Sequence, residues 1–507
     1  MITNDWSLKW AEFNPEKVAV EEYETGRSFT YGQLNRLGNS FARYFIEEAG
    51  LKKGSRIAIL AENCLEYIIL LSMAQKTGII LVPLNYRLTS REIDYLLTDS
   101  APQAVIVEDK FLKKVEALPV FQHVAHKMNL EQLQGKTRDF LASNQAFNYE
   151  FAGTTHDDTA LIIYTSGTTA FPKGSVYTHR MMFWNSINTQ LRLDVTSADR
   201  SVNTAPPFHT GSWNVLLTPF LHHGAYTLIM KNFDPDKVLD VLADYELTVF
   251  WAVPTMLKMM ADAPNFEKSN FEKIRYVVVG GEAMPIPLIE KWHSKKVPVR
   301  QGYGLTEVGP NVTSLNHQDA IRKAGSIGKP NFYYEAKLVD EHGSQVADNE
   351  LGELILKGPT VTPGYWNNTE ATQETIIDGW FHTGDIMRRD EEGFLFVVDR
   401  IKNMYISGAE NVYPAEVEYL LRSHEAIDAV AIIGVPDEKW GETGMAFIVP
   451  KPGHSLSVEE ITSFCAGKLA KFKIPKHFKF LDELPKNDAG KIDRKQLILH
   501  SMQKNNH

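Results

Sequence analysis

Residues 164–174 read Tyr-Thr-Ser-Gly-Thr-Thr-Ala-Phe-Pro-Lys-Gly and close an apolar run, Thr-Ala-Leu-Ile-Ile. Thr165, Ser166, Gly167, Thr168 and Thr169 are small or hydroxylated. A loop of that kind can wrap phosphate oxygens with backbone N–H groups and hydroxyls, and Lys173 adds a cation. It is not a Walker loop. Pro172 precedes the lysine and Gly174 follows it, where that loop needs Gly and then Ser or Thr. The plain alternative is a Ser/Thr-rich surface turn.

Residues 301–307, Gln-Gly-Tyr-Gly-Leu-Thr-Glu, form a second block. Gly302 and Gly304 permit close backbone approach, Tyr303 offers a flat face for a base, and Thr306 and Glu307 offer oxygens for phosphate and Mg²⁺. A dinucleotide fingerprint fails because Glu307 stands at the third glycine position. Taken alone, a strand-to-helix turn explains the segment as well. In the third block, 379–385, Asp385 follows a Gly turn and its carboxylate can accept from both hydroxyls of a ribose. A metal reading for His382 with Asp385 lacks partner histidines at ligand spacing. The charged segments 399–418 and 484–494 complete the set, and either by itself could be a surface turn.

Around these blocks the first hundred residues alternate in βαβ fashion. Arg-Ile-Ala-Ile-Leu (56–60) reads as a strand, 64–78 as a helix closing at Gly78, 79–84 as a strand, 91–100 as a helix and 104–108 as a strand. Continuous apolar strands separated by helices indicate a doubly covered parallel sheet. The pattern returns at 247–254 and 274–284. From about Gly325 the texture changes to short strands with Gly turns, and after Arg400 a smaller α/β unit begins, in which 461–469, around Cys465, is helix-like. The expected architecture is α/β. A large N-terminal domain, 1–399, combines doubly covered parallel-type sheets with a small β-barrel-like subdomain. A small mobile α/β domain, 400–507, follows.

Composition narrows the function. The net charge is −10 with an estimated pI of 5.9, which gives no electrostatic footprint for nucleic acid and argues against a polybasic membrane anchor. The two cysteines, Cys64 and Cys465, are too far apart for a disulfide framework or thiolate metal site and read as core residues in a reducing compartment. The N-terminus shows no apolar signal segment and no run approaches a spanning helix, so a cytoplasmic protein without an integral membrane segment is expected.

In this order and spacing the five blocks resemble the acyl-adenylate-forming superfamily of acyl-CoA synthetases, luciferases and peptide-synthetase adenylation domains. The resemblance runs from the Tyr-Gly-Gln-Leu segment at 31–34 to Lys491. It implies an acyl-CoA synthetase, an AMP-forming acid–thiol ligase that uses ATP, Mg²⁺ and coenzyme A and acts on a small carboxylic acid; it also allows a homodimer. By resemblance, Thr165, Ser166, Gly167, Thr168, Thr169 and Lys173 hold the β- and γ-phosphates. Gly281, Glu282 and Ala283 line the adenine and acyl side, with Gly302 and Gly304 flanking Tyr303, which stacks on the base. Thr306 contacts the α-phosphate and Glu307 the Mg²⁺. Asp385 and Arg400 hold the ribose, and Lys402 is the hinge on which the small domain pivots. Lys491 serves adenylation, and the loop from Ser407 through Gly408 to Glu410 replaces it when the thiol arrives.

Two positions depart from the family pattern: Ala170 and Ala409 stand where Gly is usual. If either needs positive φ, alanine costs about 1 kcal/mol or somewhat more. Residues 206–214, Pro-Pro-Phe-His-Thr-Gly-Ser-Trp-Asn, resemble the acyl-pocket motif of CoA ligases. Phe208-His209 stands where amino-acid-activating relatives carry an Asp, so an amino acid is disfavoured. His209 is either part of the site or a packed histidine; Trp213 is either core or the floor of the acyl pocket. The expected acid is a medium- or long-chain fatty acid, with an aryl acid as the alternative. A carrier-protein acceptor is the rival reading among enzymes. A non-catalytic sensor is the rival outside them, and the retention of Lys173, Glu307, Asp385 and Lys491 argues against it.

Overall fold

The computed structural model describes residues 4–143, 153–165, 172–281, 284–407, 410–487 and 491–502. Ser166, Gly167, Thr168, Thr169 and Ala170, then Glu282 and Ala283, then Gly408 and Ala409, lie outside the described residues. By compactness the chain divides into two units, Met1–Ala336 with Leu356–His382, and Lys337–Ile355 with Thr383–His507. The expected hinge, Lys402, falls within the second unit.

In the first unit, six strands lie in the order His126–Asn129, Ala104–Val107, Arg56–Leu60, Ile80–Pro83, Thr159–Thr165, Lys173–Thr178. All neighbours run parallel except the last pair, which is an antiparallel hairpin. The inner strands Ala104–Val107, Arg56–Leu60 and Ile80–Pro83 are short and almost wholly apolar, as a sheet covered on both faces requires, whereas the edge strands His126–Asn129 and Lys173–Thr178 carry polar residues. The helix Leu65–Thr77 is buried at every residue, so its lack of a polar face follows from its position. Gly78 ends it at φ 70°, the left-handed cap that glycine adopts without a Cβ penalty. Thr89 with Glu92 forms a capping box at the start of Ser90–Ser100.

Two further sheets complete this unit. Val18–Glu22 pairs with Tyr226–Ile229, which pairs with Arg200–Asn203. Val249–Ala252, Tyr276–Val279 and Val299–Leu305 run parallel, and Gly309–Ser314 turns back antiparallel on the last of them. Two histidines of this unit are shifted by their surroundings, His179 buried and His222 half-buried. Burial holds His179 down at about 4, and burial with His223 beside it holds His222 down at about 3. Cys64 and Cys465 are buried and free.

The second unit has a sheet ordered Glu410–Val412, Tyr405–Ser407, Gly441–Pro450, Ile427–Asp437, with His477–Phe480 added parallel to Gly441–Pro450. Helix Pro414–Arg422 packs its Val417 and Leu421 into this core. The helix-like stretch expected at 461–469 stops early: Val458–Cys465 ends before Gly467, whose φ of 76° cannot continue a right-handed helix.

Gly384, immediately before Asp385, has φ 68° in the left-handed region, and a second glycine turn lies earlier in the block. Asp378 and Gly379, at φ 52° and 78°, turn between Ile377 and its partner Trp380, as the Asp-Gly pair of a tight hairpin does. Asp385 itself lies inside the strand Trp380–Arg389.

Candidate active site

Glu307 is the centre of the polar cluster in the first unit. It sits in the one-turn 3₁₀ helix Thr306–Val308, between the strands Val299–Leu305 and Gly309–Ser314. Thr165 Oγ1 donates to Glu307 Oε1 at 3.1 Å, and Tyr365 OH donates to the same oxygen at 3.1 Å. Among the described residues Oε2 takes no hydrogen bond, and no cation forms an ion pair with the carboxylate. Burial, then the adjacent Glu307 carboxylate, pushes the Tyr365 phenol far above its ordinary range, so it stays a donor.

The backbone fixes this arrangement. Thr165 and Lys173 are direct partners in the antiparallel hairpin, so their side chains rise from one face. Lys173 Nζ lies 5.3 Å from the Tyr365 ring centroid. The segment bearing Tyr365 is laced to the hairpin by Val176 N to Gly364 O at 3.1 Å and Trp366 N to Gly174 O at 2.7 Å. Thr362 N donates to Glu307 O at 2.7 Å. Gly174 permits this approach, because a Cβ there would stand 2.9 Å from Ile162 Cγ2 and 3.3 Å from Trp366 Cβ.

Gly302 and Gly304 also serve close approach, but of their own hairpin. A Cβ at Gly302 would meet Thr313 O at 2.9 Å, and one at Gly304 would meet Pro310 at 2.3 Å. Tyr303 pairs with Thr313 and is half-buried. The turn at Gly280 and Gly281 lies beside this strand: Val279 pairs with Gln301, Met284 N donates to Gln301 Oε1 at 3.3 Å, and Gly281 has φ 90°. The structure therefore brings Thr165, Lys173 and Glu307 together and sets Gly281 next to Gly302.

Phe208 packs edge-on against Tyr86 and shares a buried cluster with Ile162 of the hairpin. His209 stands at the N-terminus of the helix Thr210–Asn214, its ring 4.5 Å from that of Phe208. Trp213 belongs to the core: it is 1% exposed, sits edge-on to Tyr67 and donates from Nε1 to Pro207 O at 2.6 Å.

In the second unit Asp385 pairs in register with Arg400, and Arg400 Nε meets Asp385 Oδ1 at 2.9 Å. Asp399, next in the strand, is buried and accepts from Asn403 Nδ2 at 2.9 Å and Ala415 N at 2.7 Å. Lys402 is pushed down by burial, then by Arg400 and Lys495; Asp385 opposes this and Lys491 adds to it. Ser407 is buried at the edge of the strand Tyr405–Ser407, opposite Glu410. Lys491 N donates to Asn487 Oδ1 at 3.1 Å. Arg400, Lys402, Lys491 and Asp385 are thus gathered by one unit.

The AMP-binding enzyme model matches residues 8–366, and the C-terminal domain of AMP-binding enzymes matches 416–491. The chain belongs to the AMP-binding enzyme family. A feruloyl-CoA synthase from Amycolatopsis sp is 34% identical, covering 96% of each chain. A long-chain-fatty-acid–CoA ligase of Mycobacterium tuberculosis is 34% identical, again covering 96% of each. The solved o-succinylbenzoate coenzyme A synthetase of Bacillus subtilis, in complex with ATP and magnesium, superposes with a TM-score of 0.86 at 31% identity, over 97% of this chain and 99% of that one.

This AMP-binding enzyme is an AMP-forming acyl-CoA synthetase using ATP, Mg²⁺ and CoA with a small carboxylic acid. Its donor set fits the metal. Among the described residues no three acidic, histidine or cysteine side chains cluster, and a single carboxylate with one oxygen braced suits Mg²⁺, which keeps waters and substrate phosphates as its other ligands. No described helix is long and apolar enough to cross a membrane. Sequence reasoning missed Tyr365 and Thr362. The Gly364-Tyr365-Trp366 run was the available signal, since an aromatic pair beside glycine often marks close packing.

Proposed function

We propose that this AMP-binding enzyme activates its acid by attack of the carboxylate on the α-phosphorus of ATP, with loss of pyrophosphate, and then transfers the acyl group to the CoA thiol with loss of AMP. The observation that carries the assignment of roles is the Glu307 carboxylate, anchored through Oε1 by Thr165 and Tyr365. Bound there, Mg²⁺ would neutralise charge that develops on the phosphates. Thr165 and Lys173, with the residues between them, grip the β- and γ-phosphates. Tyr303, Gly281, Glu282 and Ala283 take the adenine side, with Thr306 at the α-phosphate. Asp385 accepts from the ribose hydroxyls while Arg400 holds its carboxylate in place. Lys491 neutralises charge during adenylation, and Ser407 and Gly408 belong to the thioester-forming arrangement, reached by pivoting at Lys402.

The two classes of acid have relatives of equal identity, one acting on ferulate and one on long-chain fatty acids. The burial of Trp213 favours a core role over one as floor of the acyl pocket, and an unchanged chain-length preference in Trp213→Ala is the expected result. The test is acid-dependent pyrophosphate–ATP exchange, followed by CoA-dependent release of AMP, across a panel of carboxylic acids. Exchange with at least one acid, and AMP release that needs CoA rather than a carrier protein, is the expected result. No exchange with any acid overturns the reading.

A further inference from the structure

Trp251 and Gly211 form a contact that neither the phosphate cluster nor the core explains. Residues along the strand Val249–Ala252 alternate between two faces. Phe250 and Ala252 enter one buried cluster, while Val249 and Trp251 face another that includes Val215, Leu216, Phe220 and Val278. Phe250 and Ala252 are fully buried, whereas Trp251 is only half-buried. Its Nε1 has no hydrogen-bond partner among the described residues, nor is it among the polar atoms sealed from solvent. An indole N–H left this way is a donor in waiting.

Gly211 lies in the short helix that follows His209, and its backbone is not in the left-handed region. Conformation therefore does not demand glycine there; space does. A Cβ at 211 would stand 2.8 Å from Trp251 Cη2 and 2.9 Å from Cζ2. The six-membered edge of the indole occupies the room that a side chain at 211 would take. Trp251 also pairs in register with Val278, two residues before Gly280 and three before Gly281, the turn beside Gly302. The strand that leads into the glycine turn thus pairs with the strand whose indole covers Gly211.

We propose that Trp251, seated on Gly211, is a specificity-determining residue that closes the acyl hollow and restricts it to a compact, flat acid, aryl or arylalkanoic, instead of an extended alkyl chain. The proposal rests on placing the acid at residues 206–214. A planar ring can lie against the exposed indole face, and a ring substituent can accept from Nε1. A long chain has to displace the indole, which packs against the buried cluster that includes Leu216 and Phe220.

The test compares benzoate, cinnamate and dodecanoate in acid-dependent pyrophosphate–ATP exchange, for the wild type and for Trp251→Ala, Gly211→Ala and the double variant. Wild type is expected to prefer an aryl acid. Trp251→Ala is expected to shift kcat/KM toward dodecanoate by about tenfold or more relative to cinnamate, the scale on which apolar pockets discriminate. Gly211→Ala is expected to weaken aryl-acid use and lower Tm, and Trp251→Ala placed on top of it is expected to restore Tm, because the clash partner is gone. Trp251→Phe keeps a flat wall and should retain the aryl preference. A wild type that prefers dodecanoate, a ratio unchanged within twofold in Trp251→Ala, or additive effects in the double variant would each overturn the inference. Absence of exchange with every acid in every variant would instead sink the assignment of the reaction, and this inference with it.

Discussion

Two carboxylates, Glu307 and Asp385, are held in opposite ways. Neutral hydroxyls from Thr165 and Tyr365 brace Glu307, so its full negative charge survives. A guanidinium braces Asp385, so that pair is close to neutral overall. The same functional group is thereby prepared for different company. An uncompensated carboxylate suits a hard cation, and a compensated one suits uncharged sugar hydroxyls that ask only for an acceptor. The support, more than the residue type, sets the task.

The largest expected effect tests the cationic group around Lys402. Lys491→Ala should lower adenylation by about 10² to 10³, the scale for removing one preorganised electrostatic group. It should leave thioester formation from supplied acyl-adenylate nearly intact; equal loss of both half-reactions, measured separately, would refute the division of labour. Next, Glu307→Gln keeps shape and removes charge. Its kcat should fall by roughly 10² and extra Mg²⁺ should not rescue it, whereas Asp385→Asn should chiefly raise KM for ATP, by about tenfold. Matching kinetic patterns in the two variants would erase the contrast. Tyr365→Phe removes one of the two hydroxyls on Oε1 and should weaken the Mg²⁺ requirement curve by about tenfold, as loss of an outer-shell partner does.

The smallest effect concerns pH. His179 and His222 titrate near 4 and 3 in the folded chain against 6.5 when exposed. The unfolded state therefore binds more protons below about 6.5, and stability should fall as pH drops from there toward the folded values. Each histidine contributes up to about 1.4 kcal/mol per pH unit over its own window. Denaturant midpoints measured between pH 7 and 5 should decline, and His179→Asn should flatten the slope.

Much of this molecule is legible in one dimension. Short apolar strands, the glycine after Thr77 and the Ser/Thr-rich block each declare themselves through local chemistry. Tyr365 does not. It reaches Glu307 from 58 positions away, through a bridge to the Lys173–Thr178 strand that no periodicity reveals. Gly302 and Gly304 were recognisable as close-approach residues, yet what approaches is the returning strand, a fact of pairing rather than composition. The Asp378-Gly379 hairpin is legible as an Asp-Gly pair that follows two isoleucines. Residues 461–469 carry a helix-like pattern beyond Gly467, and one left-handed glycine overrides it.

The stem that pairs Thr165 with Lys173 has a consequence for how this protein can change over generations. In closure entropy alone the spacing between these two partners is cheap to change, since doubling a loop adds only about 0.6 kcal/mol. A single residue inserted below the clamp is another matter. It would rotate one strand by a full pleat and send the threonine and the lysine to opposite faces. Insertions and deletions beneath that rung should therefore be eliminated for what they do to the pairing, and those above it for what they do to the phosphate grip.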